Sequence, residues 1–271
     1  MRWVWLVFAV LALGACGGSP NPKPTPSATA SAKPKPKPRT DAAAVAARAH
    51  VPVLCYHQIR PRTGADGADA LPYIVSPAVF ATQMRALDRA GYTTITGDAL
   101  VAHVARGEPL PRKPVLLTFD DSSAGQYKSA LPVLRRHHFT ATFFIMTVVL
   151  GKPGWLSRGQ VRALDRAGMT IASHTWDHKD VTTYTDTDWD TEITEPTRDL
   201  ERLVGHPVRL FAYPYGLWDR AAFPHLRRAR FTAAFQLADK LDRRDPLWTL
   251  RRIIVPELSG KELLREIKQD F

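Results

Sequence analysis

The chain is poor in the features that mark several common classes of protein. Cysteine is nearly absent: among 271 residues only Cys16 and Cys55 carry a thiol. Cys16 closes an N-terminal apolar leader, so Cys55 is left alone in the folded part and no intrachain disulfide is available. Cys55 lies in an apolar run and reads as an inert core residue. The apolar run Trp3 to Leu13 is shorter than the ~20 residues a transmembrane helix needs. No Gly-rich phosphate turn supports an open nucleotide-binding sheet, and no internal repeat is visible. A concentrated basic patch is missing too. The formal net charge is +11, but seven basic residues and Asp41 precede residue 50, which leaves 30 basic against 25 acidic residues beyond it. That surplus is mild and scattered. It suits a protein near an anionic cell envelope and gives no ground for nucleic acid as a partner. Arg227, Arg228 and Arg230, like Arg243 with Arg244, read as solvated faces.

What is present begins with a targeting segment over residues 1–16. Arg2 supplies the charged region and Trp3 to Leu13 the apolar one. Leu13-Gly14-Ala15-Cys16 resembles the bacterial lipobox, in which the cysteine is lipidated and becomes the new N-terminus. The expectation is a lipoprotein held at the cell membrane through Cys16, facing the extracytoplasmic side. Residues 17–48 alternate proline with lysine, serine, threonine and alanine. Such a stretch buries too little to fold, tends toward extended polyproline II, and reads as a disordered spacer.

From Val51 the composition turns globular and strands alternate with helices. Strands are expected at 51–56, 92–95, 115–119, 141–146, 169–173, 208–212, 232–235 and 252–255. Helices are expected at 77–90, 98–106, 126–137, 157–167, 188–204, 219–229 and 260–269, with a Gly/Asp/Ala-rich loop over 61–72. This is the pattern of one α/β domain over residues 50–271 with a parallel sheet, and the repeat number favours a closed barrel.

Three motifs stand at strand ends. Val115 to Phe119 is a buried strand closed by Asp120 and Asp121. Neighbouring side chains on an extended backbone point to opposite sides, so the two acids can divide a metal role and a proton role. The plainer reading is a helix N-cap. Ser173-His174-Thr175-Trp176-Asp177-His178 follows another strand. Two histidines four apart face one point if the chain makes a helical turn, and two histidines with a carboxylate suit zinc while leaving a position open. Alone, that spacing is a weak signal. Asp177 reads as support for a histidine rather than a ligand. Phe211-Ala212-Tyr213-Pro214-Tyr215-Gly216 is either a plain turn or a loop offering a backbone N–H to an oxyanion.

Together, Thr118-Phe119-Asp120-Asp121, His174 to His178 and Pro214-Tyr215-Gly216 resemble, in order and spacing, the first three motifs of the polysaccharide deacetylases (carbohydrate esterase family 4, NodB homology domain). The resemblance covers about residues 50–271 and implies a single distorted (β/α) barrel of about seven strands. It implies Asp120 as general base, Asp121, His174 and His178 as ligands of a divalent metal, zinc by default, and the Tyr215 N–H as an oxyanion donor. Two departures stand out. Ala212 occupies the place of an arginine that tethers the base in many members, and the C-terminal Leu-x-His that supplies the acid is missing. Both resemble the permuted branch that deacetylates poly-N-acetylglucosamine, in which an N-terminal strand supplies the acid. Val51 to His57 looks like that strand, so the acid is carried to His57, and its surroundings are expected to keep it protonated.

The stretch Asp245 to Ile253 loosely resembles a fourth motif, and either Asp245 or Arg252 is a candidate to orient His57 or hold Asp120. Trp176 and Trp218 flank the motifs and are candidates to stack on sugars, core packing being the alternative for each. His103, His137, His138, His206 and His225 receive no role. The function implied is metal-dependent removal of N-acetyl groups from an N-acetylglucosamine-containing polysaccharide, exopolysaccharide or peptidoglycan, with a slight lean to the first. The alternatives are an O-acetyl (xylan-type) esterase and a lipid-anchored glycan-binding module without activity.

Overall fold

The computed structural model describes residues 41–237 and 240–271; the leader and the spacer up to residue 40 lie outside the described residues. The last part of the stretch read as spacer is folded. Helix α1 (Ala42–Arg48) is capped by the Asp41 side chain and ends where Arg48 donates to the carbonyls of Val104 and Ala105. Its sequence, Ala-Ala-Ala-Val-Ala-Ala-Arg, is close to an ideal helix former, and that propensity overrides the proline-rich composition upstream.

Strands β1 (Val53–Tyr56), β2 (Gln58–Ile59) and β3 (Ile74–Val75) follow, then α2 (Pro77–Arg89), β4 (Thr93–Thr94), α3 (Gly97–Arg106), β5 (Pro114–Phe119), α4 (Leu131–Arg136) and β6 (Thr142–Ile145). The second half holds α5 (Arg158–Arg166), β7 (Thr170–Ser173), α6 (Glu195–Val204), β8 (Leu210–Ala212), α7 (Ala222–Arg228), β9 (Ala233–Phe235), β10 (Ile253–Ile254) and α8 (Gly260–Asp270). Ser76, Ser157 and Ser259 cap α2, α5 and α8, the last two in full capping boxes. Two expected helices open as wide π-turns, Gln126–Ala130 before α4 and Trp189–Thr194 before α6. Pro132 and Pro196, which have no N–H to give, stand just beyond each one.

The main sheet is parallel throughout, in the order β10-β1-β5-β6-β7-β8-β9, with β4 beside the start of β5. Leu250 bridges to Phe235 on β9, and Ile253 pairs with Leu54 on β1. One short stretch, 250–255, thus passes from one edge of the sheet toward the other. The result is a curled half-barrel of seven parallel strands, as expected for the NodB-like (β/α) barrel, and the first and last strands are neighbours.

Alternation along the strands divides the core. Leu54, Tyr56, Leu117, Phe119 and Phe143 pack outward among the helices, with Phe119 and Phe143 stacked at 4.7 Å. Val53, Leu116, Phe144, Ala172 and Phe235 pack inward with residues of α1 and α3. The same period of two turns Cys55, His57, Thr118 and Asp120 toward the inside of the curl. Parallel strands deliver their C-terminal ends to one rim, so the residues just after β1, β5, β7 and β8 meet there.

Candidate active site

β5 ends with Asp120, whose N–H donates to the Tyr56 carbonyl at 2.9 Å. Asp121 and Ser122 then take left-handed conformations, φ 69° and 68°. That geometry costs a non-glycine residue roughly 1–2 kcal/mol, and the surroundings hold it. The Ser122 hydroxyl accepts from the Met146 N–H, and its carbonyl accepts from the Leu156 N–H. The turn keeps Asp120 pointing inward and swings Asp121 toward β7. The acids are divided between two environments, so the helix-cap reading of this pair fails.

His174 and His178 are brought together by a tight loop rather than by the helical turn expected. Thr175 and His178 are both left-handed, φ 65° and 72°, and the His178 N–H donates to the Thr175 hydroxyl. The two Nε2 atoms lie 3.3 and 3.5 Å from the same Asp121 oxygen, which is buried and has no hydrogen-bond partner. The His174 Nδ1–H donates to the Ala212 carbonyl at 2.8 Å, which turns the lone pair of Nε2 toward that oxygen. Burial and the neighbouring His174 charge push His178 down to about 4, so its ring is neutral near pH 7 and free to ligate. Two ring nitrogens and one carboxylate oxygen that no hydrogen bond satisfies thus converge on a single point. The donor set N, N, O fits a zinc-like divalent ion and leaves coordination positions open.

Asp120 is held by Arg252. The guanidinium donates to both carboxylate oxygens at 2.7 Å, while its Nε donates to the Gln236 carbonyl and its plane lies over Phe144. Arg252 is fully buried. The side chain rises from the stretch that bridges the sheet edges, so the tether missing at Ala212 is supplied from the residue just before β10. Burial alone would raise the Asp120 carboxyl, but the Arg252 and His174 charges outweigh it and keep it well below the usual carboxylate range. Cys55, read as an inert core residue, instead faces Asp120, with its sulfur 3.5 Å from Oδ2. Burial pushes that thiol up, so it stays protonated and donates.

His57 sits one residue past β1, buried, with a ligating atom within 4.8 Å of the Asp120 carboxylate. The expectation that its surroundings keep it charged is corrected here. Burial lowers His57 more than the Asp121 and Asp120 charges raise it, and its Nδ1 has no hydrogen-bond partner. Gln126, which carried no role in the sequence reading, ties the acid and base segments together. Its Nε2 donates to the carbonyls of both His57 and Asp120. The preceding Gly125 permits the approach, since a Cβ there would lie 2.2 Å from the Ile59 carbonyl oxygen. The only trace in the sequence is a polar side chain on the buried face of an expected helix.

The 212–217 loop completes the rim. Tyr215 is left-handed (φ 58°), mostly exposed, and meets the His178 ring edge-on at 4.4 Å. The loop's own bonds run from the Gly216 N–H to Tyr213 and from the Leu217 N–H to Pro214; the Tyr215 N–H belongs to neither. Of the remaining candidates, Trp176 is exposed beside a cleft of about 460 Å³ lined also by Thr147, Glu195 and Arg202. Trp218 instead stacks on Phe223 and joins the core, and Asp245 pairs with Arg220 and Arg227. Neither His57 nor Asp120 is among the partners of Asp245, because the arginines of α7 and the loop before it claim the carboxylate first.

Residues 107–234 match the family model described as polysaccharide deacetylase. Just under half of the chain thus carries the sequence pattern of that family. Among relatives, it is similar to the peptidoglycan-N-acetylglucosamine deacetylase of Bacillus cereus, 28% identical over 152 residues that cover 56% of this chain and 54% of that one. It is also similar to the poly-beta-1,6-N-acetyl-D-glucosamine N-deacetylase of Staphylococcus aureus (strain MRSA252), 24% identical over 62% of each chain. The chain therefore spans between about half and two thirds of the length of these two relatives. The fold is shared with the Streptococcus pyogenes deacetylase PplD, solved in complex with acetate, at a TM-score of 0.73, 24% identity, and 80% and 97% coverage. In this fold all three motifs converge on one rim.

Proposed function

We propose that the protein is a metal-dependent hydrolase of a non-peptide C–N bond, removing N-acetyl groups from an N-acetylglucosamine-containing envelope polysaccharide. The observation that carries this reading is the convergence of His174 and His178 on the orphaned Asp121 oxygen, beside a second, ionised carboxylate kept out of that set. Asp121, His174 and His178 would hold the ion. When bound, a divalent ion there supplies Lewis-acid polarisation of the acetamide carbonyl and lowers the pKa of a water.

The chain's own groups do the rest. Asp120, fixed by Arg252, accepts the proton of the attacking water. The Tyr215 N–H supports the oxygen that gains charge. His57, neutral at rest, has a ring nitrogen within 4.8 Å of the Asp120 carboxylate, a gap that one water spans, and passes that proton to the departing nitrogen. The C–N bond breaks, acetate leaves, and a free amine remains on the sugar. Trp176 offers an exposed face to the polymer. The names of both relatives, and the acid drawn from the first strand, favour N-acetylglucosamine polymers, the β-1,6-linked one first. Cys16 is read as the lipid attachment that keeps the domain at the outer face of the cell membrane within reach of that polymer.

Asp120→Asn tests the division of labour. Acetate release should fall by at least about 10²-fold while the purified protein keeps a stoichiometric divalent ion. Undiminished release by this variant would overturn the assignment of the base.

A further inference from the structure

Only four large hydrophobic side chains stand exposed among the described residues: Tyr73, Trp176, Tyr215 and Leu217. Three follow directly from the metal-ligand and oxyanion loops. Tyr73 comes from a segment with no place in the mechanism, yet its ring meets His57 edge-on at 4.8 Å while 37% of the residue faces solvent. One exposed tyrosine thus flanks the catalytic row at His57, and another, Tyr215, flanks it at His178.

The segment that delivers Tyr73 is stiffened at both ends. Between the paired β2 and β3, Arg60 grips Asp66 through two nitrogens, and Asp66 accepts from the Thr63 N–H. Arg62 pairs with Glu257 at 2.8 Å and donates to the Leu71 carbonyl, and Glu257 accepts from the Ser76 N–H. The connection joins two parallel strands, which no tight turn can do, and its last six residues, Ala68–Tyr73, wind into a 3-10 helix that ends on the tyrosine. Here its hydrogen bonds fix one half-exposed aromatic ring at the mouth of the site. A pyranose ring has an apolar face of C–H groups and a hydroxylated rim. A rigid tyrosine covers the first and leaves the second in water, at a small cost in side-chain freedom.

We propose that Tyr73 is a stacking platform for a sugar ring of the polymer, on the His57 flank and beside the unit that loses its acetyl group. The proposal deepens the deacetylase reading and rests on it for the identity of the ligand. Tyr73 thereby sets a preference for chains over single sugars.

The test uses the full chain carrying Asp120→Asn, so that nothing turns over, and calorimetric titration with β-1,6-linked N-acetylglucosamine oligomers of one to five units. Affinity should rise with length. Tyr73→Ala should weaken the pentamer about tenfold, as covering roughly 50 Å² of ring face implies, and leave the monomer unchanged. Tyr73→Phe should bind as the parent does, because the face of the ring acts and the hydroxyl does not. With Asp120 restored, Tyr73→Ala should raise KM for the pentamer by a similar factor and hold kcat within about twofold. Equal losses on monomer and pentamer, or a fall in kcat alone, would mean that Tyr73 only steers His57 and would overturn the proposal. So would affinity that does not grow with length in the Tyr73 parent. If length-dependent binding is lost in Tyr73→Ala but the chain with Asp120 restored releases no acetate from any oligomer, the platform stands and the deacetylase reading falls.

Discussion

Arg252 is the residue whose removal is most informative. Its side chain is 0% exposed and that of Asp120 3%, and two parallel 2.7 Å bonds join them. Replacing it by methionine keeps the volume and strands a carboxylate in the interior. Breaking one side of a buried pair costs about 3–5 kcal/mol, which for a domain of this size lowers Tm by about 6–20 °C. The pH dependence has a definite sign. In the parent, Asp120 is held well below its ordinary value, so its contribution to stability is present above that value and is lost only as pH falls through the depressed one. In Arg252→Met, burial dominates and the carboxyl moves up, so the penalty is full near neutrality and is relieved as acid protonates Asp120. The gap in Tm between parent and variant should therefore narrow from pH 7.5 to pH 5, read by circular dichroism melts. Arg252→Lys should recover part of the loss, since it keeps the charge and gives up the fork. A gap below about 1 kcal/mol, or one that does not change with pH, would refute the claim that this pair holds the base.

Three further outcomes are expected. His174→Ala should purify without a stoichiometric divalent ion, measured by elemental analysis, and should lose acetate release with it. Gln126→Glu replaces a double N–H donor with a group that cannot donate when ionised. It orphans the buried His57 and Asp120 carbonyls at about 1–3 kcal/mol each, and denaturant unfolding should show that cost alongside a fall in kcat. At the surface, the hydrogen bond that the His206 ring donates to Asp165 raises the histidine. Its stabilisation is complete below the ordinary histidine value and fades as pH rises through the raised one, so Asp165→Asn should lower Tm more at pH 6 than at pH 8.5.

Much of this was legible in the sequence because it is local. The strand-helix alternation, the strand-end acids and the histidine pair are patterns of neighbouring residues, and each motif lands on the rim that parallel strands share. What was not legible depends on distant parts meeting. Arg252 and Asp245 looked alike as partners for the site; only the stretch that bridges β9 and β1 decides that one side chain points inward and the other outward to Arg220 and Arg227. Trp218 flanks a motif but stacks on Phe223, the second residue of α7. Gln126 acts through two carbonyls on separate strands, which no spacing encodes. Helix α1 was hidden by the proline-rich run before it, although its alanines were plain. The neutral state of His57 follows from burial on every side, and that too appears only when the fold is closed.

The proposed reaction is hydrolysis of N-acetyl groups at this rim, with a divalent ion held by Asp121, His174 and His178. Acetate release from poly-β-1,6-N-acetylglucosamine, peptidoglycan and acetylated xylan tests it most directly, with the protein as purified, after chelation, and after zinc is returned. Release is expected from an N-acetylglucosamine polymer, with loss on chelation and recovery once zinc is returned. Release that survives chelation, or release from acetylated xylan alone, would contradict it.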